Sequence, residues 1–531
     1  MTDISVHSIF NDVLGPILAG PSSSHSGGCA RIGLTVRNLF GKDIKKAVVV
    51  FDAAGSYPST YIGQGSNFGF TGGLLGMKTD NPELKNSVQI AKEQGRDISF
   101  SQEMLSHTHP NEARIDVYGD DGNVEMNALT LSTGGGTFEI TQLDGFPIFI
   151  NGNCRLSFVK CVTDGVEKIK DFIQQEFSNS EIEAVKKETE PDENHMLLIV
   201  KGLSEEQEEI LDKFSSQPEI ISIRHSGKIL PVSMKSADNE PIFHNAAGAL
   251  KYNKDHSFDA ADLAIAYEMS VGRTTKEEVM ELAKHTYDIM RHAATTQPDP
   301  KTETRFGFMP YQCKDMLEKK ESDTVNLAPT GCLDQALFYA VSVMENSCAH
   351  NTVVASPTAG SSGVVPAAVI SVAKAMNLSE DMALKGLLAS GLVGAFIANH
   401  ATFGAEVAGC QAENGAASAM AAGGIVCMLG GSVEQSFRAA SMALQNMLGL
   451  ICDPVGGLTE IPCISRNVSA VSNAITSANM AVLGFDPMIP LDETIDCMLR
   501  VGQALPESLR CTCTGGLCVT PTGKCLGNCT K

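Results

Sequence analysis

The first part of the chain alternates between short apolar runs and turn-forming residues. The run KKAVVVFD leads into a glycine turn, and the runs in ARIDVYGDDG and GTFEITQLDG end at Asp-Gly signals. Segments in which apolar residues recur about every 3.6 positions precede the first of these runs, which is the pattern of amphipathic helices. Strands mixed with helices in this way predict an α+β domain over residues 1–146.

Residues 147–230 change to a compact alternation that runs from RLSFVKC to EIISIRHSG. Strand-like and helix-like segments follow one another there in the order βαββαβ. That order is typical of the ferredoxin-like split motif. The following residues, 231–257, carry Pro231, Pro241 and Gly248 without sustained periodicity, so we predict a linker.

Almost every segment from residue 258 onward has helical periodicity. Several of these segments are apolar on most faces and rich in Ala and Gly, as in DMALKGLLASGLVGAFIANHA. Helices of this kind are typically buried and packed closely within a bundle. The pattern predicts an all-α domain over residues 258–531. The predicted fold class is therefore multidomain, with an N-terminal α+β domain, a ferredoxin-like α+β domain and a C-terminal all-α domain.

Length and charge limit the partners that the chain can have. With 531 residues the chain exceeds the size of one hydrophobic core. Its 40 Lys and Arg residues against 62 Asp and Glu residues give a formal charge of -22, which repels nucleic-acid phosphates and anionic lipids. We therefore predict no nucleic-acid and no membrane partner.

The sequence predicts neither a targeting signal nor a membrane-spanning helix. The residues MTDISVHSIF lack the charged and apolar regions of a secretory signal. The longest apolar run, Gly386 to Ala398, is shorter than the ~20 residues that a spanning helix needs. These observations predict a soluble cytoplasmic protein, in which the 16 cysteines serve as metal ligands or small buried residues rather than disulfides.

Three cysteines, Cys410, Cys452 and Cys463, lie in segments crowded with Gly, Ala and Pro and accompanied by polar residues. These polar neighbours are Gln411, Glu413, Asp453, Glu460, Arg466 and Asn467. No CxxC spacing is present, so three buried apolar thiols are the alternative to a metal centre. Three thiolates on a four-iron cluster would leave one iron open as a Lewis acid. Zinc is less well matched, because the segments lack a companion histidine at zinc-site spacing.

Two hydroxyl-rich turns are candidates for binding an anionic substrate group. Each places Ser or Thr side chains among glycines before a helix, where hydroxyls and backbone amides suit a carboxylate or phosphate. Ordinary helix capping is the alternative. The candidate residues are Ser22, Ser23, Ser24 and His25 in GPSSSH, and Thr358, Ser361 and Ser362 in SPTAGSSGVVP.

The C-terminal segment RCTCTGGLCVTPTGKCLGNCTK is dense in cysteine. It indicates either a metal-binding end or a mobile tail with incidental thiols. Its five cysteines are Cys511, Cys513, Cys518, Cys525 and Cys529.

Seven motifs together resemble one enzyme family. They are GPSSSHSGGCARIG, HPNEARI, STGGG, SPTAGSSGVVP, GCQAENG, LICDPVGGLTEIPCISRN and LPESLRCTCTGGLCVTPTGK. In this order and context they resemble the iron-sulfur-dependent L-serine dehydratases, or L-serine ammonia-lyases, over nearly the whole chain. The β and α parts of that family look fused here, and the ferredoxin-like segment resembles its ACT-type regulatory domain.

The resemblance implies a specific site and reaction. Cys410, Cys452 and Cys463 match the three ligands of a [4Fe-4S] cluster, and water would be eliminated from L-serine without pyridoxal phosphate, giving pyruvate and ammonia. The residues of the two hydroxyl-rich turns, His25 included, would line the site. A C-terminal cysteine, with Cys529 as the candidate, could be a fourth cluster ligand. ACT-type domains often pair, which makes a homodimer the expected assembly.

The chain also departs from the family pattern. Where the family commonly has KGHGTD, this chain has IGQGSN, so Gln64 and Asn67 replace His and Asp, and Gln64 cannot act as a base. Where NNAS is common, the chain has NHAT, which introduces His400. We hypothesise that His400 compensates as a catalytic residue, with two independent changes near the site as the structural alternative. The alternatives are another β-substituted amino acid as substrate, such as L-threonine or L-cysteine, or a non-catalytic amino-acid or oxygen sensor.

Overall fold

The structure, a computed structural model, describes residues 6–178, 180–187, 194–234, 241–298, 309–322 and 325–528. The chain divides into two compact units. One comprises residues 24–236, and the other comprises residues 1–23 together with residues 237–531.

A six-stranded sheet organises the first half of the 24–236 unit. Its strands are β1 (Lys46–Asp52), β2 (Asp97–Glu103), β3 (Glu112–Tyr118), β4 (Val124–Gly134), β5 (Thr137–Leu143) and β6 (Phe146–Ile150). They lie in the order β2-β1-β3-β4-β5-β6, with β1 and β2 parallel and the other pairs antiparallel. The strands predicted from KKAVVVFD, ARIDVYGDDG and GTFEITQLDG are confirmed as β1, β3 and β5.

Helices complete this part of the unit. They are Cys29–Phe40, Tyr57–Thr60, Ser66–Leu74 and Ser87–Glu93. Gly33 and Gly73 allow the first and third of these helices to touch, because a Cβ on Gly33 would lie 2.7 Å from the Phe70 carbonyl oxygen. An N-terminal region built from strands and helices is therefore confirmed.

A second, four-stranded antiparallel sheet follows. It contains β7 (Leu156–Val162), β8 (Glu181–Val185), β9 (His195–Lys201) and β10 (Ile220–His225), with the helices Val166–Glu176 and Glu205–Asp212. The spatial order is β10-β7-β9-β8. The βαββαβ order predicted from the sequence is therefore present, whereas ligand binding of the ACT type stays a prediction.

The other unit is helical, as predicted. Its α-helices are Ala246–Asn253, Ala260–Val271, Lys276–Thr295, Cys313–Glu321, Leu333–Cys348, Val364–Ala375, Glu380–His400, Ala405–Ala408, Ala416–Met428, Val433–Gln445, Cys463–Val482, Leu491–Ala504 and Pro521–Asn528. Glycine brings two central helices together, because a Cβ on Gly424 would collide with the Gly386 carbonyl oxygen and the Ser390 hydroxyl. The Ala- and Gly-rich segments therefore form closely packed buried helices.

The helix Glu380–His400 contains the apolar run noted in the sequence. By length and composition alone it could cross a membrane, but 83% of its most apolar window is buried within the protein. Core helices of soluble proteins have this character. The cytoplasmic location stays a prediction.

The N-terminal segment packs into the helical unit. Its strand Ile17–Ala19 pairs antiparallel with the strand Thr352–Val354. The Glu268 carboxylate accepts a hydrogen bond from the Ile9 backbone N–H at 2.8 Å. From the sequence we predicted that this segment belongs to a domain of residues 1–146. No local sequence pattern indicates its contacts with the helical unit.

Candidate metal centre

The three predicted cluster cysteines lie in loops and at a helix start within the helical unit. Cys410 precedes the short π-helix Gln411–Gly415, and Cys463 is the first residue of the helix Cys463–Val482. Cys452 lies in the connection between the helices Val433–Gln445 and Cys463–Val482, and all three cysteines are buried. Gly409 allows the chain to enter this region, since its φ of 74° is left-handed and a Cβ would lie 2.8 Å from the Leu450 carbonyl oxygen.

The structure brings the three thiols into one region. The sulfurs of Cys410 and Cys452 and a carboxylate oxygen of Glu413 all lie within 4.8 Å of one another. The Cys463 thiol is close enough for its charge to interact with those of Cys410 and Glu413. The group within 4.8 Å contains two of the three predicted ligands, with Glu413 as its third member, and the predicted ligand set of Cys410, Cys452 and Cys463 stays a prediction.

Arg466 supplies positive charge at this group. Its Nη1 lies 3.6 Å from Cys410 Sγ and donates to the Ile451 carbonyl oxygen at 3.0 Å. Its Nη2 donates to Asp453 Oδ1 at 2.8 Å, and Asp453 is 2% exposed. Burial opposes the charge of Arg466, but Cys410 and Asp453 outweigh that effect and raise its pKa. The guanidinium can therefore stabilise a thiolate at Cys410.

The thiols are difficult to ionise without a cation. Hydrogen bonds with Cys410 and Cys511, together with burial, hold the pKa of Cys452 well above its ordinary value. Burial and the neighbouring Cys410 do the same to the pKa of Cys463. A bound metal offsets this cost because its charge favours thiolates. Several buried thiols grouped with one guanidinium therefore fit the [4Fe-4S] cluster that the resemblance implies.

Glu413 connects the thiols to one of the hydroxyl-rich turns. Its Oε1 accepts from Thr358 Oγ1 at 2.7 Å, and its Oε2 accepts from Cys410 Sγ at 3.6 Å. Burial raises the pKa of Glu413 to about 7. From sequence Glu413 was noted only as a polar neighbour. Its position three residues after Cys410 in a helical turn is the signal that places both side chains on one face.

The side-chain amide of Asn467 fixes the turn that contains Thr358. Thr358 Oγ1 and Ser361 Oγ lie 3.1 Å apart. Asn467 Nδ2 donates to the Gly360 carbonyl oxygen at 2.8 Å and to that of Cys463 at 2.9 Å, which joins the turn to the cysteine helix. Ser362 instead donates to Met344 Sδ at 3.6 Å. Thr358 and Ser361 are thus brought to the thiol group, and Ser362 contacts a different helix.

The GPSSSH segment is divided between the two units. Ser22 and Ser23 belong to the helical unit. There the preceding residue, Pro21, accepts a hydrogen bond at its carbonyl oxygen from Thr459 Oγ1 at 3.5 Å, four residues before Cys463. This contact connects the segment to the loop that leads to the third cysteine.

Ser24 and His25 belong to the other unit, and their contacts lie within it. Ser24 Oγ lies 3.0 Å from His25 Nδ1, and Ser56 Oγ lies 3.4 Å from His25 Nε2. The ring of Tyr57 packs edge-on at 5.4 Å. Burial lowers the pKa of His25 to about 4, so the imidazole is neutral at physiological pH.

His400 ends the helix Glu380–His400. Its Nε2 is buried and has no hydrogen-bond partner among the described residues. Gln64 and Asn67 lie in the other unit, at the start of the helix Ser66–Leu74. Compensation by His400 for Gln64 therefore stays a hypothesis.

In the part of the cysteine-rich tail that the structure describes, Cys511 contacts the thiol group. Cys511 packs against Cys410 and Cys452 in one cluster of side chains. Cys513 and Cys518 donate instead to the Pro454 carbonyl oxygen at 3.4 and 3.1 Å. Cys525 is exposed. Cys529, the fourth ligand named from the sequence, lies outside the described residues.

Comparisons with known proteins give one consistent family. The family described as "Serine dehydratase alpha chain" matches residues 255–518. The chain is 38% identical over 283 residues to the probable L-serine dehydratase alpha chain of Bacillus subtilis (strain 168), a match that covers 53% of this chain and 93% of that one. It is also 38% identical over 266 residues to the L-serine dehydratase alpha chain of Peptoniphilus asaccharolyticus, covering 50% of this chain and 89% of that one.

A further match concerns a different subunit. The chain is 41% identical over 142 residues to the probable L-serine dehydratase beta chain of Bacillus subtilis (strain 168), a match that covers 27% of this chain and 63% of that one. This single polypeptide is therefore similar to both an alpha chain and a beta chain.

Proposed function

Because the chain belongs to the iron-sulfur L-serine dehydratase family, with α and β parts fused in one polypeptide, we propose that it eliminates water from L-serine, giving pyruvate and ammonia. The observation that carries the proposal is the grouping of Cys410, Cys452 and Glu413 within 4.8 Å. We infer that a small amino acid is the substrate and that no pyridoxal phosphate is needed.

Cys410, Cys452 and Cys463 are the residues that would hold a [4Fe-4S] cluster. When bound, such a cluster supplies a Lewis-acid iron that stabilises the negative charge on a departing hydroxide. Arg466 offsets the charge of the Cys410 thiolate through its contact at 3.6 Å. Asp453 accepts a hydrogen bond from that guanidinium and holds it in place. The conformation of the Asp453 side chain is in turn fixed by its burial.

The chain's own polar groups orient the substrate. Thr358, fixed by Glu413 and Ser361, presents a hydroxyl beside the thiol group. The backbone amides of the same turn precede the helix Val364–Ala375, and amides at a helix start favour a carboxylate. In this proposal the turn binds the substrate carboxylate, and Ser22 and Ser23, which belong to the same unit as the turn, provide further polar contacts. His25 lies in the other unit, and its role as a catalytic residue stays a prediction from the sequence.

One anaerobic experiment tests the proposed function. The protein is reconstituted with iron and sulfide, its visible absorption is recorded, and ammonia and 2-oxo acid are measured with serine, threonine and cysteine. We expect a four-iron cluster and fastest turnover of serine. Cys410→Ser, Cys452→Ser and Cys463→Ser should lose cluster and turnover, whereas Cys497→Ser, a half-buried cysteine elsewhere in the helical unit, should keep both.

The remaining outcomes distinguish the alternatives. Faster turnover of threonine or cysteine would indicate another β-substituted substrate, and a stable cluster without turnover would indicate a sensor. Failure to take up iron and sulfide would contradict the proposal. His400→Ala tests the compensation hypothesis, because full turnover in that variant would exclude a catalytic role for His400.

We also propose a cytoplasmic homodimer. The support is the four-stranded sheet, in which the edge strands β8 and β10 each pair on one side only within the described part of the chain, so that each leaves an open edge for a second copy. Light scattering coupled to size-exclusion chromatography measures the assembly. A monomeric mass would contradict the proposal.

A further inference from the structure

The Glu413 carboxylate lies between the thiol group and the hydroxyl-rich turn that contains Thr358. Its Oε1 accepts a hydrogen bond from Thr358 Oγ1 at 2.7 Å, and its Oε2 accepts one from Cys410 Sγ at 3.6 Å. Gly360 of the same turn leaves room for the carboxylate, because a Cβ there would lie 3.0 Å from Glu413 Oε1. One carboxylate is therefore in contact with both parts of the proposed site.

Glu413 is more accessible than the residues around it. Cys410, Thr358 and Ser361 are buried, whereas Glu413 is half-buried. A carboxylate that is partly withdrawn from water interacts more strongly with a charged partner than one on the surface does. Because Glu413 keeps some exposure, a small ligand can still reach it.

The hydrogen bond from Cys410 to Glu413 exists only while Cys410 is a thiol. A cysteine that binds a metal does so as a thiolate, which has no proton to donate. Glu413 Oε2 therefore loses this donor when Cys410 acts as a ligand, and a negative charge then lies beside it. A positively charged N–H donor would satisfy the carboxylate oxygen and offset both charges.

Arg466 does not supply this donor. Its hydrogen bonds go to Asp453 and to the Ile451 carbonyl oxygen, and no ion pair within the described part of the chain includes Glu413. Burial is the main cause that raises the pKa of Glu413, and the negative charge of Glu406 adds to it. Glu406 Oε1 is itself buried without a hydrogen-bond partner among the described residues. A cationic group of a bound ligand would balance this excess of carboxylates.

We propose that Glu413 binds the α-ammonium group of the substrate. This inference rests on the proposed function, because it requires an amino acid beside Cys410 and the turn that contains Thr358. The ammonium has three N–H donors, one of which replaces the Cys410 thiol at Glu413 Oε2. With the substrate carboxylate at the turn, two groups on the α-carbon are then fixed. The site therefore selects α-amino acids over hydroxy acids of the same shape.

The first test removes the charge of Glu413 and keeps its shape. Glu413→Gln can still accept the hydrogen bond from Thr358, but it is no longer an anion. After anaerobic reconstitution, kcat and KM for L-serine are measured together with the iron content. We expect KM to rise about 10- to 100-fold, as for loss of a charged hydrogen-bond partner, with kcat changed by less than about threefold. The iron content should equal that of the unchanged enzyme.

Two further variants are controls. Glu413→Asp keeps the charge on a shorter side chain, so its KM should rise by less than that of Glu413→Gln. Glu434→Gln removes an exposed glutamate from the helix Val433–Gln445 and should match the unchanged enzyme. A rise in KM that is as large in Glu413→Asp as in Glu413→Gln would show that charge is not what matters, and would overturn the inference.

Other outcomes distinguish the inference from the proposed function. An unchanged KM in Glu413→Gln, or a fall in kcat alone, would show that Glu413 does not bind the ammonium. A variant that is folded by circular dichroism but has lost iron would show that Glu413 supports the metal centre instead. In these cases the unchanged enzyme still binds a cluster and turns over serine, so the proposed function stands. If the unchanged enzyme does neither, both fail.

A second measurement uses the unchanged enzyme and so does not depend on folding of a variant. L-Alanine and L-lactate differ only in the ammonium or hydroxyl group on the α-carbon, and each is tested as a competitor of L-serine. We expect the inhibition constant of L-alanine to be about tenfold lower than that of L-lactate, because L-lactate leaves the Glu413 carboxylate without a cation. If L-alanine inhibits no better than L-lactate, the inference is overturned.

Discussion

Arg466 is the residue that balances charge at the candidate metal centre. It contacts Cys410 Sγ, the Ile451 carbonyl oxygen and Asp453, which uses three directions of its planar guanidinium. Sequence spacing could not reveal this role, since Cys410, Cys452 and Cys463 have no fixed metal-site spacing and become neighbours only through the fold. The family resemblance, rather than the spacing, predicted the grouping.

Replacing Arg466 should weaken the metal centre. We expect Arg466→Met to lower kcat/KM and iron retention by about 10- to 100-fold, because the Cys410 thiolate loses its positive neighbour. Iron content after reconstitution and turnover of serine measure the effect. Arg438→Met, which removes an exposed arginine paired with Asp486, is the matched control and should change neither. Unchanged iron retention in Arg466→Met would contradict the prediction.

His25 should make stability depend on pH. Burial lowers its folded-state pKa to about 4 from 6.5, so below pH 6.5 the unfolded chain binds a proton that the folded chain does not. The stability that this histidine contributes is therefore present above pH 6.5 and is lost as the pH falls to about 4. The full loss amounts to about 3 kcal/mol.

The measurement is the urea midpoint of unfolding at pH 7 and at pH 5. His25→Gln, which cannot titrate, should lose less stability between these values than the unchanged protein. His256→Gln, at an exposed position, serves as the control and should behave like the unchanged protein. Equal losses in His25→Gln and the unchanged protein would show that His25 is not the source.

At the scale of elements, periodicity predicted the described strands and helices well where each is long. The strands β1, β3 and β5, the βαββαβ order and the buried Ala- and Gly-rich helices all follow from local pattern. The strand Ile17–Ala19 does not, because three residues carry no periodicity and their partner lies far along the chain. The residues just before this strand pack closely against the helix Glu380–His400, where Gly391 faces Ile9 and Gly394 faces Val13.

A methyl group at Gly391 should disturb this docking. Its Cβ would lie 2.5 Å from Ile9 Cγ2 and 3.1 Å from Leu14 Cδ1. We expect Gly391→Ala to destabilise the protein by about 1–3 kcal/mol through overpacking. The thermal midpoint of unfolding measures the change.

The same contact supplies its own control. Ile9→Ala removes the colliding methyl, so the double variant Ile9→Ala/Gly391→Ala should be destabilised by less than the two single variants together. Additive effects would contradict the predicted contact between these two side chains.

At the scale of the molecule, the helical unit is assembled from two distant parts of the chain. Residues 1–23 belong to it together with residues 237–531. Domain bounds read from the sequence follow the order of the chain, and so cannot reveal a unit whose first segment is separated from the rest. The buried helix Glu380–His400 receives part of its cover from this segment, through Gly391 and Gly394.

The helical unit should therefore need its N-terminal segment. We expect residues 237–531 alone to have a lower thermal midpoint than when mixed with a peptide of residues 6–23, because binding to the folded state stabilises it. A peptide with Leu18→Asp is the control, since Leu18 is fully buried. If both peptides leave the midpoint unchanged, the segment does not contribute to the unit.

The pairing of Ile17–Ala19 with Thr352–Val354 also has a consequence for synthesis. The ribosome releases the first strand long before the second, and at about 5–20 residues per second the interval is roughly 20 to 60 seconds. Residues 24–236 are synthesised within that interval, so they can fold before the second strand has been made. During this time the N-terminal segment, with its apolar side chains, has no partner strand to pair with. The helical unit is therefore the last to fold, and we expect a chaperone to bind the N-terminal segment until then.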